Sequence, residues 1–159
     1  MVYAERERIP ISSEKETRKK ETRKVVRILR EIREERGRAV EERAREAFWN
    51  FIGSSDCPPW LTGYLPAQGT LADEDGGVDG YVFTDMDEIE IQIKSSPKGV
   101  AWAKKTHPKV PVFCVESTYF SDSEIMAIFL PRLRKIRNRR YNQARRQTQS
   151  STFSLCLKK

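Results

Sequence analysis

Asp79, Gln92 and Lys94 are the residues of this chain whose types and spacing point most directly to chemistry. They stand in GGVDGYVFTDMDEIEIQIK, residues 76–94. Residues 78–83 are rich in strand-forming side chains, and Thr84-Asp85-Met86-Asp87 reads as a turn. Residues 88–94 alternate strictly, with Ile89, Ile91 and Ile93 on one face and Glu88, Glu90, Gln92 and Lys94 on the other. An antiparallel hairpin with a two- or four-residue loop pairs Phe83 with Glu88 and sets Asp79 opposite Gln92. Opposed residues share a face, about 5 Å apart at Cβ, and Lys94 lies two residues further along it. A loop of odd length would flip every side chain. A carboxylate, an amide carbonyl oxygen and waters are hard ligands suited to Mg²⁺. Such a metal polarises a phosphoryl oxygen and acidifies a bound water. A neighbouring ammonium orients that water or offsets charge developing on phosphate. The chemistry is phosphodiester hydrolysis. The same pattern also describes a solvated edge strand, and on pattern alone that plainer reading is preferred.

Other elements must position these residues. Ser13-Glu14-Lys15-Glu16 reads as a capping box that opens a highly charged helix. Val25, Ile28, Leu29 and Ile32 make a narrow apolar stripe on it, to be packed on the body or on a second copy. Gly37 is expected to interrupt this arm. A second helix is predicted over 38–52, with Val40, Ala44, Ala47, Phe48 and Phe51 on one face. Residues 53–77 read as loop, with a short strand near 63–70. Residues 99–106 form a short helix that stops at His107-Pro108. The apolar run VPVFCV, 110–115, is expected to be a buried central strand. Ser121 to Glu124 is a second capping box, opening a helix through Leu130, and Pro131 either kinks it or starts another. The last dozen residues are expected to fray.

The motif GGVDGYV, followed by IQIKSS thirteen residues after the Asp, resembles the D…QxK variant of the PD-(D/E)xK nuclease superfamily. It is similar to Mrr-type restriction endonucleases, whose fold is shared by archaeal Holliday-junction resolvases and compact homing endonucleases. The resemblance covers residues 37–130 and implies an α/β, restriction endonuclease-like αβββαβ core. A charged helical arm (1–36) would precede it, and a basic helix and tail (131–159) would follow. The resemblance implies that Asp79 and the carbonyl of Gln92 or Ile93 hold Mg²⁺ and that Lys94 assists the attacking water. Gly37-Arg38-Ala39-Val40-Glu41 resembles the Gly-x-x-x-Glu opening of the resolvases, which would bring Glu41 to the metal or its water. The helical wheel also sets Glu41 at the border of the apolar face. A boundary Glu bonded to a neighbouring Arg is the plainer alternative. Ser95 and Ser96 bond either phosphate or nearby backbone. Asp73, Glu74 and Asp75 are outer-sphere ligands or a solvated turn, the latter preferred. His107, Trp49, Trp60 and Trp102 read as structural.

Charge adds a partner. The formal net charge is +7, yet residues 70–96 hold eight acids and one base, while residues 131–159 hold ten bases and no acid. Arg132, Arg134, Lys135, Arg137, Arg139, Arg140, Arg145 and Arg146 crowd fifteen positions and suit phosphate contacts with duplex or branched DNA. The alternative is that the basic tail folds onto the acidic segment and neutralises it. A duplex cutter of this size is expected to be a homodimer. The three cysteines fit neither a disulfide framework nor a zinc knuckle, and no run of eighteen apolar residues is present. The expectation is an intracellular Mg²⁺-dependent endodeoxyribonuclease. The rivals are a catalytically degenerate nucleic-acid-binding module of the same fold and an RNA-binding structural protein.

Overall fold

The computed structural model describes residues 11–70, 73 and 77–156, with side chains from residue 15 to residue 147. The chain divides into two units, residues 1–36 and 37–159. Helix α1 spans Ile11–Phe51. Ser13 is therefore already inside the helix rather than at its N-cap. Gly37 does not break it either: a lone glycine costs a helix about 1 kcal/mol, which the charged pairs and the packed face around it outweigh. In the first unit Arg30 Nε donates to Glu34 Oε1 at 2.8 Å, one turn on. Val25, Ile28, Leu29 and Ile32 are exposed.

The second unit is built on a four-stranded sheet in the order β1-β2-β3-β4. The strands are β1 (Leu61–Pro66), β2 (Gly80–Thr84), β3 (Glu88–Lys94) and β4 (Val112–Cys114). β1 and β3 both pair antiparallel with β2, whereas β3 and β4 are parallel. The parallel step needs a crossover, which α2 (Pro97–Thr106) provides. α3 (Asp122–Cys156) closes the chain. The architecture is thus an α/β fold in the order α-βββ-α-β-α, with a mixed sheet. Among the described residues no helix is long and apolar enough to cross a membrane.

Other expectations are corrected beyond α1. The run VPVFCV forms only a three-residue strand at the sheet edge, not a central one. Its Phe113 is buried on one side by β3 and stacked on Phe129 of α3. α2 begins at Pro97, where a Pro is tolerated because the first turn has no N–H partner to lose. α3 runs through Pro131 without restarting and continues to Cys156, so the segment expected to fray is helical that far, and residues 157–159 lie outside the described residues.

The core explains the arrangement. Val40, Ala44, Ala47 and Phe48 form the buried face of α1. Phe48 stacks on Tyr64 of β1 at 4.6 Å and meets Phe129 of α3 edge-on at 5.0 Å, and Phe129 stacks on Phe113 of β4 at 4.4 Å. Small alanines beside Phe48 let the helix approach the sheet closely. Polar clamps fix the helix ends. Arg43 donates to Asp122 Oδ1 at 2.6 Å and to the Phe120 carbonyl at 2.9 Å, tying α1 to the first turn of α3. The second capping box forms as expected, with Ser121 N–H donating to Glu124 Oε2 at 2.8 Å.

Because Phe48 joins three elements, Phe48→Ala should cost roughly 3–5 kcal/mol of stability in urea unfolding. A loss below about 1 kcal/mol, the scale of an ordinary substitution, would contradict this core.

Candidate functional site

The hairpin sets the site. Thr84 N–H donates to the Asp87 carbonyl at 3.0 Å, and the Thr84 hydroxyl donates to the same oxygen at 2.7 Å. This closes a four-residue turn, and Phe83 faces Glu88. The even loop keeps the register, so Gly80 faces Ile91 and Asp79 N–H donates to the Ile91 carbonyl at 2.9 Å. The paired register ends at Gly80 and Ile91, and Asp79, one residue beyond it, shares the Ile91 carbonyl rather than pairing squarely with Gln92. Its carboxylate turns along the strand: Oδ2 accepts from Ile93 N–H at 2.5 Å and from Lys94 Nζ at 3.0 Å.

Gln92 departs from a solvated face. Glu88 and Glu90 are exposed as alternation predicts, but Gln92 is only 2 % exposed. Its Oε1 is buried with no hydrogen-bond donor among the described residues. A buried amide oxygen in this condition costs about 1–3 kcal/mol unless something positive meets it.

Two glycines admit the surrounding groups. A Cβ on Gly77 would come within 2.5 Å of Gln92 Nε2 and 2.8 Å of the His107 ring, and its φ of +60° also favours glycine. A Cβ on Gly80 would come within 2.5 Å of the Tyr64 hydroxyl. Gly77 thus admits Gln92 and His107, and Gly80 admits Tyr64, on either side of Asp79 in the chain. Sequence reasoning missed Tyr64 and read His107 as structural alone. His107 does cap α2, donating its N–H to the Ala103 carbonyl at 2.8 Å, but its ring also lies beside Gln92. The signal available in the sequence was the pair of glycines flanking Asp79, which marks close approach from both sides.

Glu41 joins this cluster. Burial, and then the Asp79 carboxylate, push its carboxyl up to about 7, with Lys94 opposing them. Burial likewise raises Asp79 above the usual carboxylate range, against the pull of Lys94 and the Ile93 N–H. Burial and Asp79 raise the Tyr64 phenol. Asp73 is close enough to act on both Glu41 and Asp79. Glu74 and Asp75 lie outside the described residues. Ser96 caps α2, accepting from Gly99 N–H at 3.2 Å, which assigns it to backbone.

A hard cation fits this donor set. It offers one carboxylate with a second within electrostatic reach, and a buried amide oxygen without a donor. Ile93 contributes its N–H to Asp79, and its carbonyl lies between Gln92 and Lys94 in the chain. No group of three or more His, Cys, Asp or Glu among the described residues is arranged to hold a metal, so any cation here depends on carbonyl oxygens as well as acids. The cleft lined by Met86, Asp87, Arg140 and Gln143 is at the turn end of the hairpin, away from Asp79.

The basic helix is only partly free. Arg137 grips Asp85 with Nε at 2.6 Å, and Arg140 donates to Asp87 at 2.6 Å. Arg132 donates to the Val112 carbonyl and lies over the Phe113 ring at 5.1 Å. These three are drawn onto the protein because the acidic turn and a strand end lie within reach. Arg134, Lys135, Arg139, Arg145 and Arg146 are exposed. Trp60 is buried as expected, but Trp49 and Trp102 are exposed. No protein-family model, no curated protein and no solved structure matches this chain.

The raised Glu41 carboxyl makes a pH prediction. The folded chain holds that proton more tightly than the unfolded one, so the contribution is fully present below about 4.5 and is lost as pH rises through about 7. The upper limit is on the order of 3 kcal/mol. In metal-free buffer, Glu41→Gln should therefore gain stability relative to wild type between pH 5 and pH 8, read as the difference in Tm. A difference that stays flat across that range would mean that Glu41 is not buried beside Asp79.

Proposed function

We propose that this protein is a Mg²⁺-dependent endodeoxyribonuclease of the PD-(D/E)xK type. The observation that carries the reading is the buried, donorless Oε1 of Gln92 on the strand that ends in Lys94, whose Nζ donates to Asp79 Oδ2. The α-βββ-α-β-α order with a mixed sheet is compatible with that fold and supports the reading. So does the electrostatic coupling of Glu41 to Asp79.

Asp79 and the carbonyls of Gln92 and Ile93 would hold Mg²⁺, with Glu41 on the metal or on a water bound to it. The metal would supply charge neutralisation at phosphate and a more acidic water. Lys94 Nζ, held 3.0 Å from Asp79 Oδ2, orients the attacking water and offsets charge on the phosphoryl oxygens. Tyr64, stacked on Phe48, lies close enough to Asp79 for the carboxylate to act on its phenol. The exposed Arg134, Lys135, Arg139 and Arg145 of α3 serve as a phosphate grip, which makes binding steeply salt-dependent.

Two copies would serve the two strands of a duplex. The exposed stripe Val25, Ile28, Leu29 and Ile32 suits an antiparallel pairing of arms. Residues 18–24 hold five bases and one acid, whereas residues 31–35 hold three acids and one base, so opposite charges meet only in that orientation. Restriction, junction resolution and intron homing are all open to such an intracellular enzyme. The competing reading is a nucleic-acid-binding module with a degenerate site; the internal pairing of Arg137 and Arg140 favours it only in that fewer cations remain for substrate.

The test is incubation with supercoiled plasmid and with a four-way junction, with Mg²⁺ or EDTA. Cleavage should require Mg²⁺ and fall roughly 100-fold or more in Asp79→Ala and in Lys94→Ala. A wild type that cuts neither substrate should be challenged with a randomised target library. If the library also survives, and wild type and variants bind DNA alike, the catalytic reading is overturned and the binding module stands.

A further inference from the structure

α2 carries a surface that the nuclease reading does not use. Between residues 94 and 109 the chain holds Lys94, Lys98, Lys104, Lys105 and Lys109 and no acid. Within this basic stretch Trp102 is 60 % exposed. Such an exposed ring, set among lysines, offers a broad flat apolar face to a partner. Ala103 fills the buried side of α2, so Trp102 is not needed there. Helical spacing sets Lys98, one turn before Trp102, and Lys105, one turn after, on its face. Lys98, Lys105 and Lys109 are all exposed.

The helix is also joined to the candidate site at both ends. At its start a Cβ on Gly99 would lie 3.4 Å from the Lys94 Cβ, so the first turn lies against Lys94. At its end the His107 ring meets Trp102 edge-on at 6.4 Å and reaches Gln92 across Gly77. A polyanion running along this face is therefore led to Asp79 and Lys94.

We propose that the exposed face of α2 is a binding platform for single-stranded nucleic acid, with an unpaired base stacked on Trp102 and flanking phosphates on Lys98, Lys105 and Lys109. The charge selects a polyanion, and the single broad aromatic face amid lysines selects one that carries planar groups. A fully paired duplex hides those groups in its stack, so the platform favours a strand end, a flap or an open junction arm. The proposal deepens the nuclease reading and rests on it for the direction in which the strand leads. Binding itself is independent of cleavage.

The experiment uses the full chain in EDTA, where metal-dependent cutting is silent. Fluorescence anisotropy follows a labelled oligothymidylate and a blunt duplex of equal length. Trp102→Ala should weaken binding of the single strand by roughly 5- to 150-fold, the range of one base-stacking contact, and Trp102→Phe should restore most of it. Duplex binding should change by less than about twofold, and the Lys98→Ala/Lys105→Ala variant should flatten the salt dependence for the single strand. Because Trp102 is exposed, thermal melting of each variant should match wild type. Equal single-strand binding by wild type and Trp102→Ala overturns the platform, as does an equal loss on duplex. Trp102-dependent binding to phosphatidylcholine–phosphatidylserine vesicles, with none to the oligonucleotide, would also overturn it and assign the face to an anionic lipid surface. Failure of Mg²⁺-dependent cleavage leaves these binding outcomes readable, so the two readings fall separately.

Discussion

The site depends on one carboxylate kept from water. Asp79 sits where burial disfavours its charge, and it is held by the Ile93 N–H and the Lys94 ammonium. Both donors come from the end of β3, so the carboxylate reports the hairpin register directly. A slip of one residue would take Asp79 away from the Ile93 N–H and the Lys94 ammonium. The turn prevents this slip. Thr84 and Asp87 exchange hydrogen bonds through both backbone and side chain, and Arg137 and Arg140 hold the two turn aspartates from α3. Part of the basic helix therefore serves the geometry of the site by fixing the far end of the hairpin.

Neighbouring side chains approach the segment that carries Asp79 at distances only glycine allows. Gly80 admits the Tyr64 phenol, and Gly77 admits Gln92 and His107. Phe48 stacks against Tyr64, so the α1 face that builds the core also sets one wall of the site. Glu41 lies on that same helix, seven residues before Phe48. Its position at the edge of the buried face makes its charge expensive and couples it to Asp79. The core and the site are thus one construction: weakening the α1–β1 contact should disturb both.

Much of this was legible in the residues. Alternation in β3 and an even turn were enough to pair Phe83 with Glu88 and to bring Lys94 to Asp79. The helical wheel brought Glu41 to the core edge, and the box from Ser121 to Glu124 started α3 where its hydrogen bonds do. What could not be read depended on tertiary context. Gly37 looks like a break, yet a long helix absorbs one glycine. VPVFCV looks central because it is apolar, but helices can bury an edge strand as well as neighbouring strands do. Gln92 belongs to the polar face by period, and only the packing of Gly77 and His107 encloses it. Trp102 looks like a core residue by type, and nothing in its immediate sequence says that Ala103 takes that place. The arginines of α3 could not be divided between internal and external partners until the acidic turn was seen beneath them.

The central claim is that the cluster around Asp79 binds a divalent cation. The direct measurement is titration of metal-free protein with Mn²⁺, read by the loss of the free-ion signal in electron paramagnetic resonance. Saturable binding is expected, disappearing in Asp79→Asn and weakening in Gln92→Leu, with both variants folded by circular dichroism. Absence of saturable binding, or equal binding by wild type and Asp79→Asn, would contradict that claim.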